Sequence, residues 1–321
     1  LPTVLAAVSG DARCLDRLFR PGFSGRVHSI FAKVVNVCDK DEELFSLAAA
    51  DLDNAPHTVL VAFPAGFRFD AAGIVSGDPV SSGRGVLAIG PSLTVTAASA
   101  ASWQDVLPRF PAGRGLSILG ANLAVLADII AATGTDGGLK EYYTGGGQGD
   151  SSLFSRELAA RATGLVAALE AADFTAAAGC GRSLLGLGTG QTPSGDDFLA
   201  GLLTVFHLPG SPFGEDYRKL SQRLSREAER LTAAISQAML HQAAEGRARQ
   251  SVISLLEALI AGEALQIGTA AARVLALGSS SGTDIAVGLA SGLRHGLWLL
   301  EKQAKEDRHD NQNNNPKECV P

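Results

Sequence analysis

The chain is predicted to be an α+β protein, a small antiparallel β-rich N-terminal domain followed by an all-α C-terminal domain. Three observations predict this. Runs rich in β-branched residues and split by turn signals lie before residue 110. Ala, Leu and charged residues at helical spacing fill the remainder. Two glycine-led helix starts, GTGQTPSGDD and GSSSGTD, stand in that second half. With 321 residues, 46% of them hydrophobic, the chain can bury a core in each of two ordinary domains.

After a short helical opening, GRVHSIFAKVVNVCD (Gly25 to Asp39) reads as strand, and HTVLVAF (His57 to Phe63) follows the turn Asp53-Asn54-Ala55-Pro56. GVLAIG and SLTVTAA, divided at Gly90-Pro91, add two short strands. Residues 1–125 are therefore assigned to the β-rich domain with its short leading helix, and 126–305 to the helical domain carrying the glycine motifs. Helical patterns run near 117–132, 152–180, 195–207, 215–247, 249–261, 264–276 and 284–304. From Glu215, apolar Tyr217, Leu220, Leu224, Leu231 and Ile235 recur at the spacing of one long amphipathic helix. The stretch Thr144-Gly145-Gly146-Gly147-Gln148-Gly149-Asp150 reads as a flexible hinge, and residues 306–321 as a mobile polar tail.

A net charge of −6 with no basic run leaves no footprint for nucleic acid. The apolar stretches from Ser117 and Ile285 are interrupted by Asp128, or by Arg294 and His295, so neither is expected to span a membrane. No charged start with a small-residue cleavage site marks a signal peptide, and the cytoplasm is the expected location. Cys14, Cys38, Cys180 and Cys319 form no CxxC, and the six histidines no HxH or HxxxH, so no zinc site or disulfide framework is expected.

The pattern S-G-x-D-x-x-x-G-L begins at Ser194 and again at Ser281. Two loop-to-helix units facing one another are the expected meaning. In each, a capping box is the plain structural reading: the serine hydroxyl accepts from backbone N–H groups, while Asp197 or Asp284 reaches back. A cap needs neither Gly186, Gly188, Gly190 and Gly195 within ten residues nor a second acid at Asp196. Glycines permit close backbone approach, and the helix start at Pro193-Ser194 presents N–H groups and a favourable dipole, so a small anion or carboxylate could sit there. No Gly-Lys-[Ser/Thr] follows and no GxGxxG opens a βαβ unit, which argues against nucleotide binding. For Asp196 and Asp197 three roles stand open: bridging a Mg²⁺ to phosphate, accepting the N–H groups of a carbamoyl or amide ligand, or one acid capping while the other meets solvent. Gly201, Gly288, Gly292 and Gly296 read as helix-packing positions. Thr232 and Ser236, in line with Met239 and Ala243, either bond to the preceding turn or line a pocket.

GLGTGQTPSGDDFLAGLL (Gly186 to Leu203) together with LALGSSSGTDIAVGL (Leu275 to Leu289) resembles the signature pair of the family that includes the H subunit of oxamate carbamoyltransferase, from bacterial allantoin degradation. Weaker likeness extends to the VVNV strand around Asn36, the Asn54-Ala55-Pro56 turn, and Thr232 and Ser236 followed by Gly246. The resemblance implies a subunit acting with an acyl-CoA-synthetase-like subunit and a further carbamoyltransferase subunit, interconverting oxalurate plus phosphate with oxamate plus carbamoyl phosphate. The candidate site then has Asp196 and Asp197 as catalytic acids, the pair that would hold Mg²⁺ if a metal is used. Its ligand-binding residues are Gly188, Thr189, Gly190, Thr192, Ser194, Gly195, Ser281, Gly282, Asp284, Thr232, Ser236 and Asn36. Two other readings compete: a non-catalytic assembly or regulatory subunit, and a stand-alone enzyme using Mg²⁺ at Asp196, Asp197 and Asp284. The repeat sets a geometric expectation, that Ser194 and Ser281 mark equivalent helix starts lying close together, with Asp196 the one acid lacking a counterpart.

Overall fold

The computed structural model describes residues 2–145 and 152–313, with side chains as far as His309. Most of the expected hinge, from Gly146, and the end of the expected tail lie outside the described residues. Two compact units are formed, one from the chain up to Leu107 with Arg247–Ser254, the other from Pro108–Gly246 and the chain from Leu255 onward.

The first unit comprises β1 (Thr3–Asp11), α1 (Ala12–Phe19), β2 (Ser24–Ile30), β3 (Val34–Asp39), β4 (Leu44–Ala49), β5 (Thr58–Ala62), β6 (Pro79–Gly83), β7 (Val86–Ile89), β8 (Leu93–Thr96) and β9 (Ala101–Trp103). The strands run in the order β5-β4-β3-β2-β6-β7-β8-β1, and β1 returns to β5, closing an eight-stranded barrel that β9 extends along β1. This corrects the expected simple antiparallel domain: the barrel is mixed. β1 runs parallel to β8 and β9, and β4 parallel to β5. Hairpins announce antiparallel neighbours through their turns, whereas parallel pairs are joined by longer connections with no local signal. The opening residues are likewise strand before helix. Leu5 and Ala7 point into the core while Val4 and Val8 face out, an alternation that the small residues of TVLAAVSG disguise.

The Asp53-Asn54 turn clamps the segment from Arg247. Asp53 pairs with the Arg249 guanidinium and accepts from Ser251 N at 2.7 Å, and Asn54 O accepts from Gln250 N at 2.8 Å. Beside it the buried Arg247 guanidinium bridges Asp11 at 3.0 Å and Asp105 at 2.9 Å. Asp11 also accepts from His57 N at 2.8 Å and caps α1 through Arg13 N. Removing Arg247 would leave the buried Asp11 and the part-buried Asp105 without their counter-charge. Arg247→Ala is expected to lower unfolding free energy by about 3–5 kcal/mol, measured as a shift in urea midpoint; a change within about 0.5 kcal/mol would show that the bridge contributes little.

The second unit comprises α2 (Arg114–Thr133), α3 (Lys140–Thr144), α4 (Leu153–Glu170), α5 (Phe174–Leu184), α6 (Ser194–Phe206), α7 (Glu215–Leu231), α8 (Ala234–Ala244), most of α9 (Gln250–Ala261), α10 (Ala264–Leu275) and α11 (Ser281–Asn313). Two expected helices are each divided. The first breaks at Ala172, whose φ is +55°, and Asp173 caps α5 by accepting from Thr175 N and Ala176 N. The long helix from Glu215 breaks at Thr232, which is extended. Helical periodicity continues across that break, so only the tertiary partner of Thr232 reveals it. Among the described residues α2 alone has the length and apolarity of a membrane span. Its Asn122 donates to Leu259 O and Gly262 O, while Leu119, Leu123, Leu126 and Ile130 are buried.

At the centre, α6 is buried at every residue and crosses α11 backbone to backbone. A Cβ on Gly201 would run into Ile285 O and lie 2.8 Å from Leu289 N; one on Gly288 would run into Phe198 O and lie 3.0 Å from Leu202 N. These partners occupy matching positions of the repeat, so the crossing has a local two-fold relation. Gly292 against Val205 and Gly296 against Phe110 continue the close packing along α11.

Candidate functional site

Both helix starts are shaped by tight turns. Gly186, Gly188 and Gly190 have φ of +70°, +147° and +88°, and a Cβ on Gly188 would lie 2.5 Å from Ser194 N. Gly195 N donates to Leu187 O at 2.9 Å, and in the second copy Gly282 N donates to Leu277 O at 3.0 Å. Pro193 O accepts from Asp196 N and Asp197 N, as Ser280 O does from Thr283 N and Asp284 N. The two starts are therefore locally equivalent. The first does not form a capping box: Pro193 occupies the cap position without a side-chain bond, and Ser194 is already helical.

The serines and aspartates instead cross between the copies. The Ser281 and Thr192 hydroxyls stand beside Asp197, and the Ser194 hydroxyl beside Asp284. Thr192 Oγ1 and Ser281 Oγ are 2.9 Å apart. Although these hydroxyls favour the ionised form of Asp197, neither makes a well-aligned bond to it, and both carboxyl oxygens are buried without a partner. Asp284 accepts from Leu139 N through Oδ1 at 2.7 Å, while its Oδ2 is likewise unpartnered.

Burial pushes Asp197 up to about 8, reinforced by the charges of Asp284 and Asp196 against the pull of Ser281 and Thr192. Burial also raises Asp284, to about 6, against the Leu139 N–H and the Ser194 hydroxyl. Near neutrality the coupled pair therefore shares one proton and one negative charge, with Asp197 the more strongly raised of the two. A neutral carboxyl can donate and a carboxylate can accept, and two helix N-termini converge beside them, so the arrangement has the chemistry to meet both an acceptor oxygen and an N–H group.

Asp196, the acid without a counterpart, is spoken for. Its Oδ1 accepts from Gly186 N at 2.8 Å and its Oδ2 from the Thr232 hydroxyl, so it ties the glycine loop to the break after α7. Burial raises its pKa, opposed by Thr232, Gly186 N and Ser236. Ser236 donates to Gln191 O at 3.3 Å, holding the same loop. Thr189 and Gly190 are exposed at the loop tip, and Gly195 and Gly282 serve as backbone contacts against Leu184 and Val274. Asn36 belongs to the barrel unit, where its amide donates to Ser29 Oγ at 2.9 Å and accepts from Ser46 Oγ at 2.7 Å. Among the described residues no group of three or more His, Cys, Asp or Glu side chains is placed to hold a metal ion.

Sequence reasoning missed the segment before α3. A Cβ on Gly138 would collide with the Asp284 carboxylate, Leu139 N donates to it, and Thr135 N donates to Thr283 Oγ1 at 2.9 Å. The turn residues Thr135-Asp136-Gly137-Gly138 were the available signal. Leu231, whose carbonyl abuts Gly186, also lines a cavity of about 490 Å³ with Arg182, Arg223, Arg226 and Arg230.

The raised carboxyl sets a pH dependence. The folded protein holds a proton on Asp197 that the unfolded chain releases above 3.8, so stability from this group falls as pH rises from there to about 8. Asp197→Asn removes that loss. Its Tm relative to the parent is expected to climb across this interval and level off above about 8, read from thermal melts at a series of pH values; a constant difference would show that Asp197 titrates as an ordinary carboxylate.

Comparison with known families covers both units. Residues 6–102 match the AllH family N-terminal domain, and residues 184–293, which contain both glycine motifs, match the family described as oxamate carbamoyltransferase subunit AllH. No solved structure matches the chain. The barrel and the paired helix starts thus fall within two models of one family, and the chain belongs to the AllH family of oxamate carbamoyltransferase subunits.

Proposed function

We propose that this carbamoyltransferase subunit binds a carbamoyl or phosphate-bearing ligand at its paired helix starts, and that the transfer is between oxamate nitrogen and phosphate. The observation that carries the reading is the Asp197–Asp284 pair, in which both Asp197 oxygens and Asp284 Oδ2 are buried without partners where two helix N-termini meet. The Asp197 carboxyl donates a hydrogen bond to oxygen on the carbamoyl carbon or phosphate, and the helix dipoles favour the charge that develops there. The Asp284 carboxylate accepts from the attacking amide and orients its nitrogen lone pair toward the carbamoyl carbon. Asp196 positions the glycine loop through Gly186 and Thr232 without touching the ligand. The setting supported by the motif resemblance is a cytoplasmic complex of allantoin degradation, with an acyl-CoA-synthetase-like subunit and a further carbamoyltransferase subunit as partners.

In the reconstituted complex, supplied with oxamate and carbamoyl phosphate, Asp197→Asn and Asp284→Asn are each expected to lower kcat by roughly 10²–10³-fold with the circular dichroism spectrum unchanged. Wild-type turnover in both variants would remove the paired starts from the chemistry. A second reading, a non-catalytic assembly subunit, is favoured by the fact that close packing alone accounts for Gly201 and Gly288. It expects a complex that needs this chain to assemble and to turn over but tolerates both substitutions.

A further inference from the structure

We propose that the helical unit holds a second ligand site, lined by α3, α4 and α11, for a small planar conjugated carboxylate that also carries N–H donors. The site is a cavity of about 380 Å³ walled by Tyr142, Tyr143 and Trp298, with Arg294, His295 and Glu170 as its charged or polar lining. That volume is within the range of small-molecule sites. Ser291, also in its wall, lies two turns beyond Asp284 on α11, roughly 10 Å along the axis, which separates it from the paired helix starts.

Its polar groups are unspent. The Tyr143 hydroxyl is buried with no hydrogen-bond partner, in a residue only 8% exposed. The Arg294 guanidinium lies 4.2 Å over the Tyr143 ring, and no carboxylate pairs with it among the described residues. His295 is 2% exposed and held as a flat plate between Phe213 and Trp298, with interplanar angles of 20° and 16°. Its Nε2 is 2.8 Å from the Tyr217 hydroxyl, and its Nδ1 is buried without a partner. Burial raises Tyr217 to about 12 and lowers His295 to about 4. The phenol therefore keeps its proton and the ring is neutral, and the bond between Tyr217 and Nε2 runs in either direction according to the tautomer.

The Arg294 guanidinium thus shares one cavity lining with Tyr143 and His295, whose hydroxyl and Nδ1 are buried without partners, and buried polar groups are rarely left unmade. Together they suit a carboxylate, which accepts several hydrogen bonds and pairs with guanidinium. Glu170, the acid in the lining, has no ion-pair partner among the described residues and suits N–H groups of the ligand. Aromatic side chains make up much of the lining, which suits a flat π-system.

The proposal does not depend on the reading of the helix starts, and the purified full chain tests it by calorimetry and saturation-transfer NMR with 4-aminobenzoate, benzoate and aniline. 4-Aminobenzoate is expected to bind, and benzoate and aniline to bind about tenfold more weakly or worse. Tyr143→Phe, which deletes only an unpartnered hydroxyl, is expected to weaken 4-aminobenzoate about tenfold while Tm holds or rises. Arg294→Gln is expected to weaken both acids, and Glu170→Gln to erase the preference for 4-aminobenzoate over benzoate. Absence of binding to the parent chain, or unchanged affinity in Tyr143→Phe and Arg294→Gln, would overturn the assignment. So would loss of binding in Asp197→Asn with retention in Tyr143→Phe, which would put the probe at the helix starts.

Discussion

The close crossing of α6 and α11 is the constraint on which the helical unit depends. Gly201 and Gly288 let the two backbones touch, and any side chain there would force the axes apart. Because each helix begins a short way before its crossing glycine, contact at the crossing brings both N-termini together. The serine of one copy then meets the aspartate of the other. Packing and chemistry are thus one arrangement: the glycines set a distance, and that distance makes a shared polar centre from two separate helix ends.

Within this near-symmetric frame the functional asymmetry comes from one position. Asp196 and Thr283 are counterparts, and both hold a neighbouring loop: Asp196 through Gly186 N and Thr232, Thr283 through Thr135 N. A carboxylate has two acceptor atoms where a hydroxyl has one oxygen, so the first copy secures both the glycine loop and the end of α7. Burial above all, then the charges of Asp284 and Asp196, raises Asp197. Two acids at equivalent places thereby hold their shared proton unequally.

The barrel unit solves a different problem, closing a sheet whose strands come from distant parts of the chain. β1 is its keystone, antiparallel to β5 and parallel to β8, so that it leaves neither of those strands an open edge. Asp11 at the end of β1 then gathers α1, His57 and Arg247, a residue far along the chain. A buried guanidinium between two carboxylates adds little net stability over apolar packing but makes the register of the three segments costly to change.

Features coded by spacing were legible in the amino-acid sequence by itself. Helix periodicity placed α6, α9 and α10 to within a residue or two, β-branched runs between turn signals placed β5, β7 and β8 and a single run over β2 and β3, and the repeated S-G-x-D-x-x-x-G-L pattern marked Ser194 and Ser281 as equivalent starts. Its glycine motifs also carried the family resemblance. Only the tertiary structure decided which groups meet. Asp197 turns to Ser281 rather than into a capping box, Asp196 turns to Gly186 and Thr232, Leu139 finds Asp284, and β1 chooses two parallel neighbours. The physical reason is range. Backbone preference and side-chain periodicity act over a few residues and are written locally, whereas the partner of a buried carboxyl or a parallel strand is chosen by how remote segments pack, and no local pattern records that choice.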